Sequence, residues 1–190
     1  MPEPNHNHSR RSNRLKGFDY SLPGAYFVTL VTFSRACLFG KVSGEDLELN
    51  LLGQCAATIL QTLPFHFNID LDEWVVMPNH VHAIFFIQSR GDASGRMIDC
   101  GEPRLSPDAS PLPGRTYPHG TVPSCLGAII QNFKSITARK INAIRNTPDS
   151  VVWQRNYYDR IIRDDRELER VRGYILDNPR QWMEDLEYME

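Results

Sequence analysis

Residues 74–87 (WVVMPNHVHAIFFI) form an apolar run interrupted only by Pro78 and Asn79. Its flanks are β-branched and aromatic, the composition of extended chain. A break this short between two such flanks predicts an antiparallel hairpin. In a strand, residues i and i+2 share a face, so His80 and His82 point the same way and Val81 points opposite. A buried imidazole without a hydrogen-bond partner costs about 2–7 kcal/mol on transfer scales. Two protonated rings on one face would repel each other, whereas two neutral rings can share one cation. The hairpin therefore carries a candidate pair of metal ligands.

The chain around it has one repeating logic. Residues 1–16 are polar and aperiodic and read as a basic flexible arm. A strand is expected over 25–33, then a connection over 40–50 with a short hairpin near Ser43 and Gly44. Leu52, Cys55, Ala56, Ile59 and Leu63 recur at helical spacing, which predicts a helix over 51–63 with Asn50 as its N-cap and Pro64 at its end. Strands over 73–77 and 80–88 are the two arms of the hairpin. Residues 89–124 hold six prolines and five glycines and have no periodicity, so they read as a flexible insertion. Helical spacing resumes over 124–145, a short strand follows near 158–163, and a last helix runs from Asp164 to 177 or 178, before Pro179. The order strand, helix, strand, strand, helix, strand, helix predicts an α+β fold. Its expected form is a ferredoxin-like four-stranded antiparallel sheet with helices on one face and a C-terminal catalytic helix near the histidine pair. Residues 17–182 make a single domain in this reading, and 183–190 an acidic tail.

Composition narrows the classes. A chain of 190 residues with 41% hydrophobic content has the length and apolar mass of one globular domain. Cys37, Cys55, Cys100 and Cys125 contain no Cys-x-x-Cys pair, which argues against a zinc ribbon and a disulfide framework and favours a reducing cytosol. No apolar run approaches the roughly 20 residues that span a bilayer, so a soluble, cytoplasmic protein without a membrane partner is expected. The net charge of −2 disfavours nucleic acid, but its distribution does not. Arg10, Arg11, Arg14 and Lys16 crowd the arm, and a second basic set, including Lys134 and Arg155, runs from 134 to 180.

Three kinds of group can meet at the hairpin. On the last helix, Tyr174 and Asn178 are one turn apart on the rim of the stripe formed by Leu168, Val171 and Ile175. His80, His82 and the Asn178 carbonyl would make a mixed nitrogen and oxygen set suited to Mg²⁺ or Mn²⁺, with Zn²⁺ open on ligand type. A free phenol has a pKa of about 10, so about one part in a thousand is phenolate at neutral pH. A neighbouring cation would make Tyr174 a usable nucleophile toward phosphorus. Tyr157 and Tyr158 are rival tyrosines, read instead as packing or as base-stacking residues.

With these residues in view, Pro78-Asn79-His80-Val81-His82 resembles the His-hydrophobic-His motif of the HUH endonuclease superfamily. Residues 174–179 (YILDNP) resemble the tyrosine helix of its single-tyrosine transposases, and the likeness extends through 11–29 and 151–163. The branch it is most similar to is the REP-associated tyrosine transposases, related to small insertion-sequence transposases. The resemblance implies a ferredoxin-like fold and a bacterial, nucleoid-associated enzyme that binds single-stranded DNA hairpins. It implies metal-dependent cleavage and rejoining through a 5′-phosphotyrosine, with His80, His82 and Asn178 as ligands and Tyr174 as nucleophile. Related insertion-sequence enzymes have glutamine at the third ligand position, and Asn178 departs from them, whereas the REP-associated branch is expected to have asparagine there. Arg10, Arg11, Arg14 and Lys16 would contact DNA flanking the hairpin. Both monomeric and homodimeric relatives exist. A catalytically silent nucleic-acid-binding regulator and a metal-dependent phosphodiester hydrolase are the rival readings.

Overall fold

The computed structural model describes residues 18–88 and 125–182; the expected arm, insertion and acidic tail lie outside them. Strand β1 (Gly24–Val31) is followed by a small hairpin, β2 (Gly40–Ser43) and β3 (Asp46–Leu49), and then by helix α1 (Leu51–Thr62). The hairpin β4 (Ile69–Val76) and β5 (His80–Ile87) comes next, then α2 (Leu126–Arg145), β6 (Tyr158–Ile162) and α3 (Asp165–Asp177). The main sheet has the order β4-β5-β1-β6, every pairing antiparallel. That is the ferredoxin-like arrangement with one inserted hairpin.

Side-chain alternation divides the molecule into layers. Tyr26, Val28 and Leu30 of β1 and Val81, Ala83 and Phe85 of β5 bury one face against α1 and α2. Ile84 of β5 and Ile162 of β6 project from the other face and pack beneath Val171 and Ile175 of α3. Among the described residues, α3 is the helix that lies across the face carrying His80 and His82. Its polarity pattern fits this placement, because Leu168, Val171 and Ile175 form a narrow apolar stripe and most of its other positions are charged.

Local chemistry sets the element ends. The Asn50 side chain accepts from the amides of Leu52 (2.9 Å) and Gly53 (3.0 Å), capping α1 as its sequence predicts. At α3, Asp164 Oδ1 accepts from the Glu167 amide at 2.7 Å. The return bond of the cap differs from the expected box: Glu167 Oε2 accepts from the Arg163 amide at 3.0 Å, one residue earlier than Asp164. Strand β1 stops two residues before the expected end, because Ser34 and Arg35 both take positive φ (54° each) and turn the chain. Strand β4 starts four residues before the expected 73. Its Asp70 and Asp72 look unlike a strand, but β4 is an edge, where polar side chains can face water.

Candidate active site

The Pro78–Asn79 turn is bonded into the sheet's end rather than left as a loop. Its Asn79 carbonyl accepts from the Thr32 amide (2.8 Å), its Pro78 carbonyl accepts from the Phe39 amide (2.9 Å), and Met77 N–H closes the turn onto His80 O (2.8 Å). His80 therefore leaves the turn on fixed backbone, and β5 carries His82 two residues later on the same face. Both rings are buried, and their centroids lie 4.4 Å apart.

Each imidazole has one nitrogen tied back into the protein. His80 Nδ1 is 2.8 Å from Asn79 Oδ1. An amide oxygen can only accept, so that nitrogen carries the proton, and in the neutral imidazole Nε2 then keeps its lone pair. His82 Nδ1 is 2.9 Å from the Thr29 hydroxyl, its direct cross-strand neighbour on β1. A hydroxyl can donate or accept, so the His82 tautomer is free to follow what Nε2 meets. The Phe27 ring stacks on His82 (5.3 Å between centroids) and Trp182 stacks on His80 (5.9 Å). Burial first, and the neighbouring His80 second, push the His82 imidazole well below the ordinary histidine range, which leaves it neutral at pH 7.

Helix α3 brings the remaining groups. Val171 and Ile175 seat it on Ile84 and Ile162, and one rim of that stripe then carries Tyr174 and Asn178 over the histidines. Tyr174 Oη lies 3.3 Å from His82 Nε2, and Asn178 Oδ1 lies 3.3 Å from His80 Nε2. Asn178 is buried, whereas Tyr174 is 40% exposed. A bidentate ion pair fixes the helix along its length: Arg172 donates Nε and Nη2 to the two Asp72 oxygens at 2.8 and 2.9 Å. Asp72 faces α3 by ordinary strand alternation, two residues after Asp70, whose ladder partner Phe86 packs under α3; the bulge between Leu71 and Trp74 then shifts the register so that Trp74 faces the main core and Val75 faces α3. After Asn178 the chain keeps turning, with Arg180 and Gln181 amides bonded to the Asp177 carbonyl, and so delivers Trp182 to His80.

All four expected site residues within reach, His80, His82, Tyr174 and Asn178, come together. Sequence reasoning missed the residues that orient them: Thr29, Asn79, Phe27, Trp182 and the Asp72–Arg172 pair. Thr29 could have been found by aligning β1 with β5, since the strands pair residue for residue. The basic candidates fare differently. Arg10, Arg11, Arg14 and Lys16 lie outside the described residues. Lys134 is on α2, across the sheet from the histidines, and its ammonium donates to the carbonyls of Gln154 and Asn156 (2.8 Å each). Burial lowers its pKa to about 8. Arg155 is exposed in the segment that leads into β6.

The donor set fits a divalent cation on its own chemistry. With Nδ1 protonated, the His80 Nε2 lone pair faces an amide oxygen, two acceptors toward one another, which a cation between them would reconcile. Among the described residues no three His, Cys, Asp or Glu gather in one place. The set is neutral throughout, so a bound cation would keep its charge for an anionic ligand.

No family model matches the chain. It is 36% identical over 185 residues to an uncharacterized protein of Haemophilus influenzae, covering 96% of this chain and 95% of that protein. Its fold is similar to a solved structure of a REP-associated tyrosine transposase bound to a REP hairpin, with a TM-score of 0.53 over 87% of this chain and 73% of the other. At 14% identity that likeness is one of fold. Among the described residues no helix is long and apolar enough to cross a membrane.

Proposed function

This chain belongs to the same family as the Haemophilus influenzae protein, and we propose that it cleaves and rejoins single-stranded DNA beside hairpins, through a tyrosine-linked intermediate. The observation that carries the reading is the meeting of two histidine Nε2 atoms, one amide oxygen and one phenol on a single sheet face. The transposase fold of the solved neighbour supports the same class of substrate.

His80, His82 and Asn178 would hold a divalent cation, Mg²⁺ or Mn²⁺. When bound, the cation withdraws electron density from a phosphoryl oxygen and offsets charge on the five-coordinate transition state. The residues of the chain do the rest. Tyr174 Oη attacks phosphorus and forms a phosphotyrosine with the 5′ side of the break. The phosphorus–O3′ bond breaks, a free 3′-hydroxyl leaves, and the phenol proton passes to solvent or to that hydroxyl. One phosphoester is exchanged for another, so a later 3′-hydroxyl can reverse the attack without an external energy source. Phe27 and Trp182 exclude water from the two rings, and Asn79 and Thr29 hold their Nδ1 atoms.

The test is a denaturing gel after incubating the protein with labelled hairpin DNA and Mn²⁺. Wild type should give a covalent protein–DNA band that EDTA prevents. Tyr174→Phe should give none while still shifting the hairpin on a native gel. A band that survives in Tyr174→Phe rejects the nucleophile; cut DNA without a band assigns a hydrolase, and a native shift alone assigns a regulator.

A further inference from the structure

Two adjacent tyrosines, one before β6 and one opening it, stand on opposite sides of the sheet. Tyr157 packs on the α1–α2 side of the core, with the Lys134 ammonium 5.7 Å above its ring. Tyr158 pairs with Thr29, Thr29 pairs with His82, and His82 pairs with Val75. Residues directly opposite in an antiparallel ladder project to the same side, so Tyr158 stands on the histidine face, in the same row as His82. Ile162, four residues along β6, checks this assignment by packing under α3 with Ile84. Two strand spacings, roughly 10 Å, separate the Tyr158 and His82 backbones.

Helix α3 does not cover this end of the edge strand: Tyr158 is 48% exposed, and Tyr174, on the same sheet face, is 40% exposed. The backbone before it is nevertheless fixed. The Val152 carbonyl accepts from Phe33 N–H (2.8 Å), Gln154 N–H donates to the Val31 carbonyl (2.9 Å), and Lys134 holds the carbonyls of Gln154 and Asn156. An exposed ring on an immobilised edge, in the same row as His82 and two strands away, is a platform. Its ordering is built into the fold, so a flat ligand meets it at little entropic cost.

We propose that Tyr158 stacks on a base of the single-stranded DNA, next to the phosphate that Tyr174 attacks. Stacking needs the ring face and not the hydroxyl, and it tolerates any base. The role is that of a positioning residue: it sets where along the strand the phosphate stops. The inference rests on the single-stranded DNA reading above.

The experiment uses the full chain and a fluorescein-labelled DNA hairpin with oligothymidylate arms, in EDTA so that the DNA stays intact. One abasic position is moved along the arm, and affinity is read by fluorescence anisotropy. Wild type should lose affinity when the abasic position meets Tyr158. Tyr158→Ala should bind the intact arm roughly 5- to 150-fold more weakly, and should lose nothing further at that abasic position. Tyr158→Phe should match wild type at every position. Wild-type affinity in Tyr158→Ala overturns the proposal. So does a loss that is equal at all abasic positions, which would mark a general effect on the fold. Absence of any covalent band with the wild type would defeat the proposed function itself, whereas an unchanged Tyr158→Ala profile with that band intact defeats only the platform.

Discussion

Replacing Thr29 with valine removes one oxygen and leaves nearly everything else in place. Valine has similar volume and favours the strand, and Thr29 is only 7% exposed, so no solvent fills the gap. His82 Nδ1 then loses the hydroxyl 2.9 Å away and stays buried. Leaving a buried polar group without its partner costs about 1–3 kcal/mol. For a chain of this size, each kcal/mol lowers the melting temperature by roughly 2–4 °C, so a fall of about 2–12 °C is expected in EDTA. The ring also loses what fixes its orientation, and removing such an outer partner typically lowers metal affinity about 10- to 100-fold. Thermal melts followed by circular dichroism measure the first effect, and Mn²⁺ titration followed by electron paramagnetic resonance measures the second. Thr29→Ser should restore both. An unchanged melt together with unchanged Mn²⁺ affinity in Thr29→Val would refute the reasoning. A lowered melt with wild-type Mn²⁺ affinity would make the bond merely structural.

Two further outcomes follow from the same geometry. Arg172→Ala should lower stability by about 1–3 kcal/mol in urea titrations, a modest figure because the pair is partly exposed. The yield of covalent adduct should fall more than hairpin affinity, since Arg172 holds the helix that carries Tyr174. The pH dependence also has a fixed sign. His82 titrates well below its unfolded value of about 6.5, so in that interval the unfolded chain binds the extra proton. Stability from this group is complete above about pH 6.5 and is lost as pH falls toward the folded value, at up to about 1.4 kcal/mol per pH unit. Urea titrations at neutral and acidic pH in EDTA should show the slope, and His82→Gln should flatten it.

What the sequence disclosed about the site was whatever depends on spacing within one element. The pairing of His80 with His82 needs only the two-residue period of a strand, and that of Tyr174 with Asn178 only one turn of helix. Both are visible without any knowledge of neighbours. The fold order was equally legible, because each long element has clear periodicity and a cap. What escaped depends on register between distant segments. Thr29 meets His82 only because β1 and β5 pair in one particular alignment, and Asp72 meets Arg172 only because α3 lies across strand β4. Trp182 escaped because Pro179 marks where a helix should stop, not where the chain goes next. Lys134 looked like a free cation on the polar face of a helix. Its two carbonyl partners come from a segment whose path no local pattern predicts.

The bulge between Leu71 and Trp74 has a second effect, on how copies of the molecule meet. A sheet edge with a regular ladder is a template for another strand, and among the described strands β4 is an edge. The bulge breaks the repeat of amides and carbonyls that a docking strand would have to match. Asp70 and Glu73 add like charges that two antiparallel copies would bring into contact. The same irregularity that sets Val75 under α3 therefore protects the protein against open-ended strand addition.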